Sequence, residues 1–172
     1  SYIPKFEVNG DWYYFHFTSN NTIYGTQYQE FPKSNVPLVC DMSSDIFSKD
    51  FNANEFALIY AGAQKNMGPA GTILYIIDKD ILGKSGRKLP AYLDLQAHID
   101  KDSMYNTPPV FAVYASMLTL RWIKANGGLK GMEARNRAKK DCFYQELDRN
   151  SLFHGHSVED SRSWMNPTFR LN

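Results

Sequence analysis

The sequence predicts an α/β fold, a mixed and mostly parallel sheet with helices, from three observations. Continuous apolar runs of strand length recur at 36–40, 56–60 and 72–77, the pattern of strands buried on both faces. A long helical pattern with a broad apolar face covers 108–125. An acidic residue closes the first run and a lysine follows the second closely, at the carboxyl ends where α/β sheets carry their ligands.

The elements follow in order. The aromatic run 12–17 reads as a first strand. Residues 18–35 are polar and turn-rich, with Asn20, Asn21 and Gly25. The run 36–40 ends in Asp41. Between Tyr60 and Thr72 lies a short stretch broken by Gly62, Gly68, Pro69 and Gly71. A parallel pairing needs a crossover of about a dozen residues or more, usually helical, and these residues break any helix. Strands 56–60 and 72–77 should therefore be antiparallel if adjacent. Helix 108–125 is expected to start on Thr107 as N-cap, with Pro108 and Pro109 in the first turn and Gly127-Gly128 at its end. Its apolar positions from Val110 to Ile123 predict a largely buried helix. A charged helix over 129–148 carries Ala134, Ala138 and Cys142 at four-residue steps, with Phe143 and Leu147 beside them. The tail 163–171 reads as the entry to another strand.

Composition narrows the function classes. The chain has 172 residues, 43% hydrophobic and 22% charged, ordinary globular usage that excludes disorder as the main story. The formal charge of +1 supplies no strong general field for nucleic acid or anionic membranes. The N-terminus has no basic and apolar signal-peptide pattern, and no apolar run is long enough to span a bilayer. Cys40 and Cys142 read as two reduced thiols. Aromatic residues reach 15%, which calls for a sizeable core or an interface to cover them. His154-Gly155-His156 is a poor match to zinc spacing and reads as a surface loop. The cluster Lys130, Arg135, Arg137, Lys139 and Lys140 reads as a solvated helix face.

Four blocks carry chemistry. In 60–71 a lysine, Lys65, sits in a tight loop of small residues that lets a flat ligand or a phosphate approach the backbone. Such a lysine is a surface or structural residue, or an amine nucleophile once desolvated. Asp41 at a strand's carboxyl end is a turn cap, or the carboxylate that keeps a pyridinium nitrogen protonated. Ser103-Met104-Tyr105-Asn106-Thr107-Pro108-Pro109 brings Asn and Thr to a helix N-terminus, which reads as a plain cap, an anion site or both. Asn20-Asn21-Thr22-Ile23-Tyr24-Gly25 is a turn that could place the Thr22 hydroxyl beside a cofactor.

These blocks together resemble the phosphoserine aminotransferases of class V. The likeness rests on Ala61-Gly62-Ala63-Gln64-Lys65-Asn66 with Gly68-Pro69-Ala70-Gly71, on Asn20-Asn21-Thr22-Ile23 and on Asp41-Met42-Ser43-Ser44. It continues through the Asn106-Thr107 block, Trp122-Ile123-Lys124 with Gly127-Gly128, Met132-Glu133-Ala134-Arg135-Asn136 and Ser161-Arg162-Ser163-Trp164-Met165-Asn166, and so covers essentially the whole chain. The resemblance implies the aspartate aminotransferase-like fold (fold type I) and a homodimer using pyridoxal 5′-phosphate in the cytoplasm. It implies exchange of an amino group between glutamate/2-oxoglutarate and 3-phosphohydroxypyruvate/O-phosphoserine, in serine biosynthesis and, in many bacterial relatives, pyridoxine biosynthesis as well. By the same resemblance Lys65 forms the Schiff base and Asp41 pairs with the pyridinium nitrogen. Thr22 and Gln64 contact the cofactor, and Asn106 and Thr107 reach the cofactor phosphate of the neighbouring subunit.

Relatives are roughly twice this long, so the chain reads as the middle of a longer one. Residues 1–125 are expected to be the later part of the cofactor-binding large domain, and 126–172 a connecting helix with the start of a small C-terminal domain. The substrate clamps of the family would lie outside it, and alone it should have little or no turnover. Trp164 stands where relatives commonly have Arg or Tyr. Two other readings share some of these residues: another fold-type I enzyme, such as a lyase or decarboxylase, and a non-catalytic phosphate-binding or dimerisation fragment.

Overall fold

Alternation on the pleated backbone builds the central sheet around a small apolar core. The structure, a computed structural model, describes residues 1–172. Strand β1 (Phe15–Thr18) leads into a small antiparallel hairpin, β2 (Asn20–Asn21) with β3 (Thr26–Gln27), and then β4 (Leu38–Asp41). Strands β5 (Leu58–Gly62) and β6 (Ile73–Ile77) follow. The main sheet has the order β1-β4-β5-β6, with β1, β4 and β5 parallel and β6 antiparallel to β5. The antiparallel pairing expected from the short Gly-rich connection is therefore present. Phe17, Leu38, Cys40 and Ile59 point to one side and pack with Met42, Ile46, Phe56 and Met67. The Cys40 thiol is fully buried, and burial first, then the Asp45 carboxylate, pushes its pKa far up.

Several strands are shorter or less covered than their apolar runs suggest. The aromatic run 12–17 contributes only its end to β1, and Trp12, Tyr13 and Tyr14 are exposed. Along β6, Ile73 and Tyr75 face solvent, so this strand is not buried on both faces. An apolar run reports what a strand is able to bury. What lies on each face decides what it does bury.

After β6 the chain passes through short turns and a five-residue helix, α1 (Leu95–Ile99), to α2 (Val110–Ala125) and α3 (Gly128–Arg149). Thr107 is not the N-cap of α2. That position falls to Pro109, with no side-chain capping bond, and both prolines precede the helix. The reason is local: a residue before proline is pushed out of the α region, so Thr107 and Pro108 cannot begin the helix. Nor is α2 largely buried. Ala112, Ser116 and Ile123 are its buried residues, while Val110, Phe111, Tyr114 and Trp122 are each more than half exposed. The inner face packs closely on the loop after β5. A Cβ on Gly68 would stand 2.6 Å from Ser116 Oγ, so glycine is what allows that approach.

The buried stripe of α3 does not follow the four-residue steps of Ala134, Ala138 and Cys142. Met132, Asn136, Tyr144 and Leu147 are buried, whereas Cys142 is exposed and Phe143 is 40% exposed. Polar anchors explain this stripe. Asn136 Nδ2 donates to Ser48 O at 2.8 Å, and Tyr144 OH donates to Ser163 O at 2.9 Å. Burial raises the Tyr144 hydroxyl to about 12.

Strand β7 (Phe153–Gly155) pairs antiparallel with β8 (Phe169–Leu171). His154 and Gly155 thus lie in a strand rather than a loop. His156 stacks on Tyr24 and its Nε2 lies 2.8 Å from Ser1 Oγ. The basic cluster of α3 is largely tied down at the surface. Arg137 pairs with Glu133 and Lys140 with Asp141, and Arg137 and Lys140 also lie over the Trp164 ring. No helix is long and apolar enough to cross a membrane.

Candidate functional site

The site is assembled where the parallel strands end. Strand β4 closes with Asp41, beside Thr18 of β1 and Tyr60 of β5. Asp41 Oδ1 accepts a hydrogen bond from Ser43 N at 2.8 Å, so the turn-capping role holds. The Ser43 hydroxyl in turn accepts from Gly62 N at 3.0 Å, tying the acidic turn to the loop that follows β5. Tyr60 lies beside the carboxylate, and its hydroxyl is 2.9 Å from His16 Nε2. Partial burial and the neighbouring Asp41 raise the Tyr60 pKa above the ordinary phenol value.

The loop after β5 is rigidified from within. Met67 N and Gly68 N both donate to Ala63 O, at 3.1 and 2.8 Å. Asn66 Nδ2 donates to Ile46 O at 2.6 Å, pinning the loop to the core. Lys65 thus projects from a fixed backbone. Its Nζ donates to Thr22 Oγ1 at 2.6 Å, which joins two residues that stand 43 positions apart. Lys65 and Thr22 are exposed, so the desolvation expected for the lysine is not supplied by this chain. Gln64 is also exposed, and its amide folds back over Gly62.

Of the six candidate residues, the structure gathers Thr22, Asp41, Gln64 and Lys65 at one end of the sheet. Asn106 and Thr107 are not part of that cluster. Both are exposed, and Asn106 Nδ2 donates only to Thr107 O, at 3.1 Å. A cleft of about 1180 Å³ between residues 2–7, 27–33 and α3 contains none of the six.

Sequence reasoning did not single out Ser43, Tyr60, His16 or the anchoring role of Asn20 and Asn166. Ser43 was within reach, because Asp-x-Ser is an Asx-turn pattern. The link from Asn20 to Asn166 spans 146 residues, and nothing local in the sequence signals it.

A neighbouring buried network supports the site from below. Asp45 accepts from Ser19 Oγ, and from Gln27 Nε2 at 3.0 Å. Burial raises its pKa, and this outweighs the two hydrogen bonds that favour the carboxylate. Lys49 nearby donates to Tyr28 O and Gln29 O, at 2.6 and 3.1 Å, and its own burial lowers its pKa.

The fold and the lysine-bearing loop together define the class of protein. A solved phosphoserine aminotransferase, studied for radiation damage of its Schiff base, superimposes with a TM-score of 0.94 at 46% identity. That match covers 99% of this chain and 49% of the other. The pyridoxal phosphate-bound phosphoserine aminotransferase of Trichomonas vaginalis superimposes with a TM-score of 0.89 at 36% identity, over 96% of this chain and 46% of that one. The architecture is therefore that of the fold-type I aminotransferases, a mixed sheet with helices.

Residues 7–170 match the class-V aminotransferase family, and the chain belongs to it. The phosphoserine aminotransferase of Flavobacterium johnsoniae is 60% identical over all of this chain, which corresponds to 49% of the relative. The chain thus spans about half the length of the curated relatives it matches.

Proposed function

We propose that these residues form the lysine-bearing part of a phosphoserine aminotransferase. It exchanges an amino group between glutamate and 3-phosphohydroxypyruvate, giving 2-oxoglutarate and O-phosphoserine. The observation that carries this reading is the Lys65 Nζ to Thr22 Oγ1 hydrogen bond at 2.6 Å, at the sheet end that also holds Asp41. Identity with phosphoserine aminotransferases over the whole chain supports the substrate assignment.

The donor set fits pyridoxal 5′-phosphate. The group needs an amine for its aldehyde, a carboxylate for its ring nitrogen and a hydroxyl beside the amine, and Lys65, Asp41 and Thr22 supply these types. When bound, the cofactor supplies an electron sink for negative charge developing at a substrate α-carbon. Lys65 would hold the group through Nζ, and its free Nζ would serve as the base that takes the substrate α-proton and as the acid that returns it. Thr22 Oγ1 orients the amine. Asp41, fixed by Ser43 N, holds a proton at the ring nitrogen. Gln64 lies on the same loop and would contact the group through its amide. Asn106 and Thr107, both exposed, are assigned to the cofactor phosphate of a neighbouring subunit on the strength of the family likeness.

This reading makes the active protein a homodimer acting in the cytoplasm, in serine biosynthesis and, by extension, in pyridoxine biosynthesis. The division at 125/126 fits the break between the two long helices at Asn126 and Gly127. The exposed outer face of α2 and the open edges of β1 and β6 are where further chain of a relative-length protein would lie. The 172 residues alone should turn over negligibly, and a transamination rate in the ordinary enzyme range from them alone would refute that.

The test uses the natural full-length protein loaded with pyridoxal phosphate and reduced with borohydride. A covalent adduct mapped to Lys65, absent in Lys65→Ala, is the expected result. A wild-type protein that forms no adduct there rules the cofactor reading out. Glutamate-dependent conversion of the bound cofactor to its amine form, with release of 2-oxoglutarate, then separates transamination from lyase or decarboxylase chemistry.

A further inference from the structure

The turn that presents Thr22 is held from the far end of the chain. Asn166 Nδ2 donates to Thr22 O at 2.7 Å and to Asn21 O at 3.4 Å. Asn166 Oδ1 accepts from Asn20 Nδ2 at 2.7 Å and lies 3.0 Å from Ser163 Oγ. Two further carbonyls of the turn, those of Tyr24 and Gly25, are held from the C-terminal part of the chain as well, and Ser157 Oγ donates to both, at 2.6 and 3.0 Å. Thr168 Oγ1 donates to Tyr24 O at 3.1 Å, and Ser163 N donates to Gly25 O at 2.9 Å. The fit leaves no room for a side chain at the tip. Gly25 has φ of +64°, and a Cβ there would strike Thr168 Oγ1 and stand 3.0 Å from Asn166 O.

Thr22 itself is exposed and sits at the mouth of the turn. Inside the turn, Asn21 Oδ1 accepts from Ile23 N and Tyr24 N at 3.0 and 3.1 Å. Those bonds shape the turn but do not fix where it stands relative to Lys65. Ser157, Ser163 and Thr168 fix its Tyr24 and Gly25 carbonyls, and Asn166 alone among them grips the Thr22 carbonyl, from a segment anchored through Ser163 to the buried Asn20.

We infer that Asn166 is a positioning residue: by holding the Thr22 carbonyl it keeps Thr22 Oγ1 on Lys65 Nζ, so the segment entering β8 sets the geometry of the cofactor lysine. This rests on the cofactor reading of Lys65. A group whose supporting contacts are lost becomes mobile on the scale of about 1 Å, enough to degrade a preorganised site.

A double-mutant cycle in the natural full-length protein tests it. Asn166→Asp keeps Oδ1 as an acceptor but turns an oxygen toward the two carbonyls, and Thr22→Val removes the hydroxyl at nearly constant shape. Each single variant should weaken pyridoxal phosphate binding, by equilibrium dialysis, by roughly tenfold. In the Thr22→Val background, Asn166→Asp should add no more than about twofold, because the hydroxyl it positions is gone. In the cofactor-free protein, amide hydrogen exchange of residues 21–24 should speed up in Asn166→Asp while the thermal midpoint moves little. Asn166→Ser, which loses the same donors without adding a carboxylate, serves if the aspartate variant does not fold. Equal losses in both backgrounds, or unchanged affinity in the single variant, overturn the role of Asn166 alone. Absence of a borohydride-fixed adduct on Lys65 in the wild-type protein instead removes the cofactor reading, and this role with it.

Discussion

Around Asn20 the buried polar side chains find partners within the chain, whereas along the outer face of α2 large apolar side chains face solvent. Asn20, Ser44, Ser163 and Asn166 share hydrogen bonds of 2.6 to 3.0 Å. Phe111 is 76% exposed and Val110 69%. The first region obeys the rule that buried polar groups are hydrogen-bonded. The second breaks the rule that a lone protein rarely exposes a large contiguous apolar patch. The contrast separates a site scaffold that these residues complete by themselves from a surface suited to cover by something else. The short main sheet tells the same story, since Ile73 and Tyr75 of β6 lack a covering layer.

The largest effect should come from breaking the saturated region. Asp45→Ala leaves Gln27 Nε2 without its buried acceptor and Ser19 Oγ with Asp41 O alone, and should cost about 3 kcal/mol in denaturant unfolding. Asp45→Asn sharpens the point through pH. Burial raises the Asp45 pKa in the folded state, so the native chain holds this proton more tightly than the unfolded one. Its contribution is present below the ordinary carboxylate value and is lost as pH rises through the raised value. Wild type minus Asp45→Asn should therefore show stability falling with rising pH in that window. A flat difference would mean that Asp45 titrates normally.

Gly68→Ala tests the seam between the two regions. Its methyl would meet Ser116 Oγ on the packed face of α2, and overpacking of this kind costs about 2 kcal/mol by thermal or denaturant unfolding. Asp148→Asn comes next. Arg162 makes paired hydrogen bonds to both oxygens of Asp148 and lies over the Tyr144 ring. Because Asp148 is half-exposed, the loss should be only about 1 kcal/mol.

Phe111→Lys should change the stability of the 172-residue chain by no more than about 0.5 kcal/mol, since the ring is exposed. It should nevertheless reduce self-association of that chain in sedimentation velocity. A large loss of stability would show that the outer face of α2 is packed after all, and the comparison between the two regions would collapse.

Much of the site was legible locally. The small-residue loop, the acid at a strand end and the Asn-Asn-Thr turn each announce themselves within a few residues, because backbone approach, strand termination and turn formation are short-range requirements. The antiparallel placement of β6 beside β5 followed, once the two strands are neighbours, from a short connection broken by Gly and Pro. Helix starts and buried faces were less legible. Thr107 carries the composition of an N-cap, yet the two prolines after it delay α2 to Val110. The four-residue spacing of Ala134, Ala138 and Cys142 in α3 did not by itself say which face is inner. The partners Ser48 and Ser163 turned Asn136 and Tyr144 inward.

What the sequence by itself determined is therefore the fold class, the chemistry-bearing residue types and their order along the chain. These depend on periodicity and on contacts between near neighbours. Only the tertiary structure decided that Lys65 meets Thr22, that Asn166 grips the turn carrying Thr22, and which apolar faces stay open. Those outcomes depend on pairs 43 and 144 residues apart, and on what lies opposite each face. A linear pattern does not encode either one, because a side chain's partners are set by packing and not by its own type.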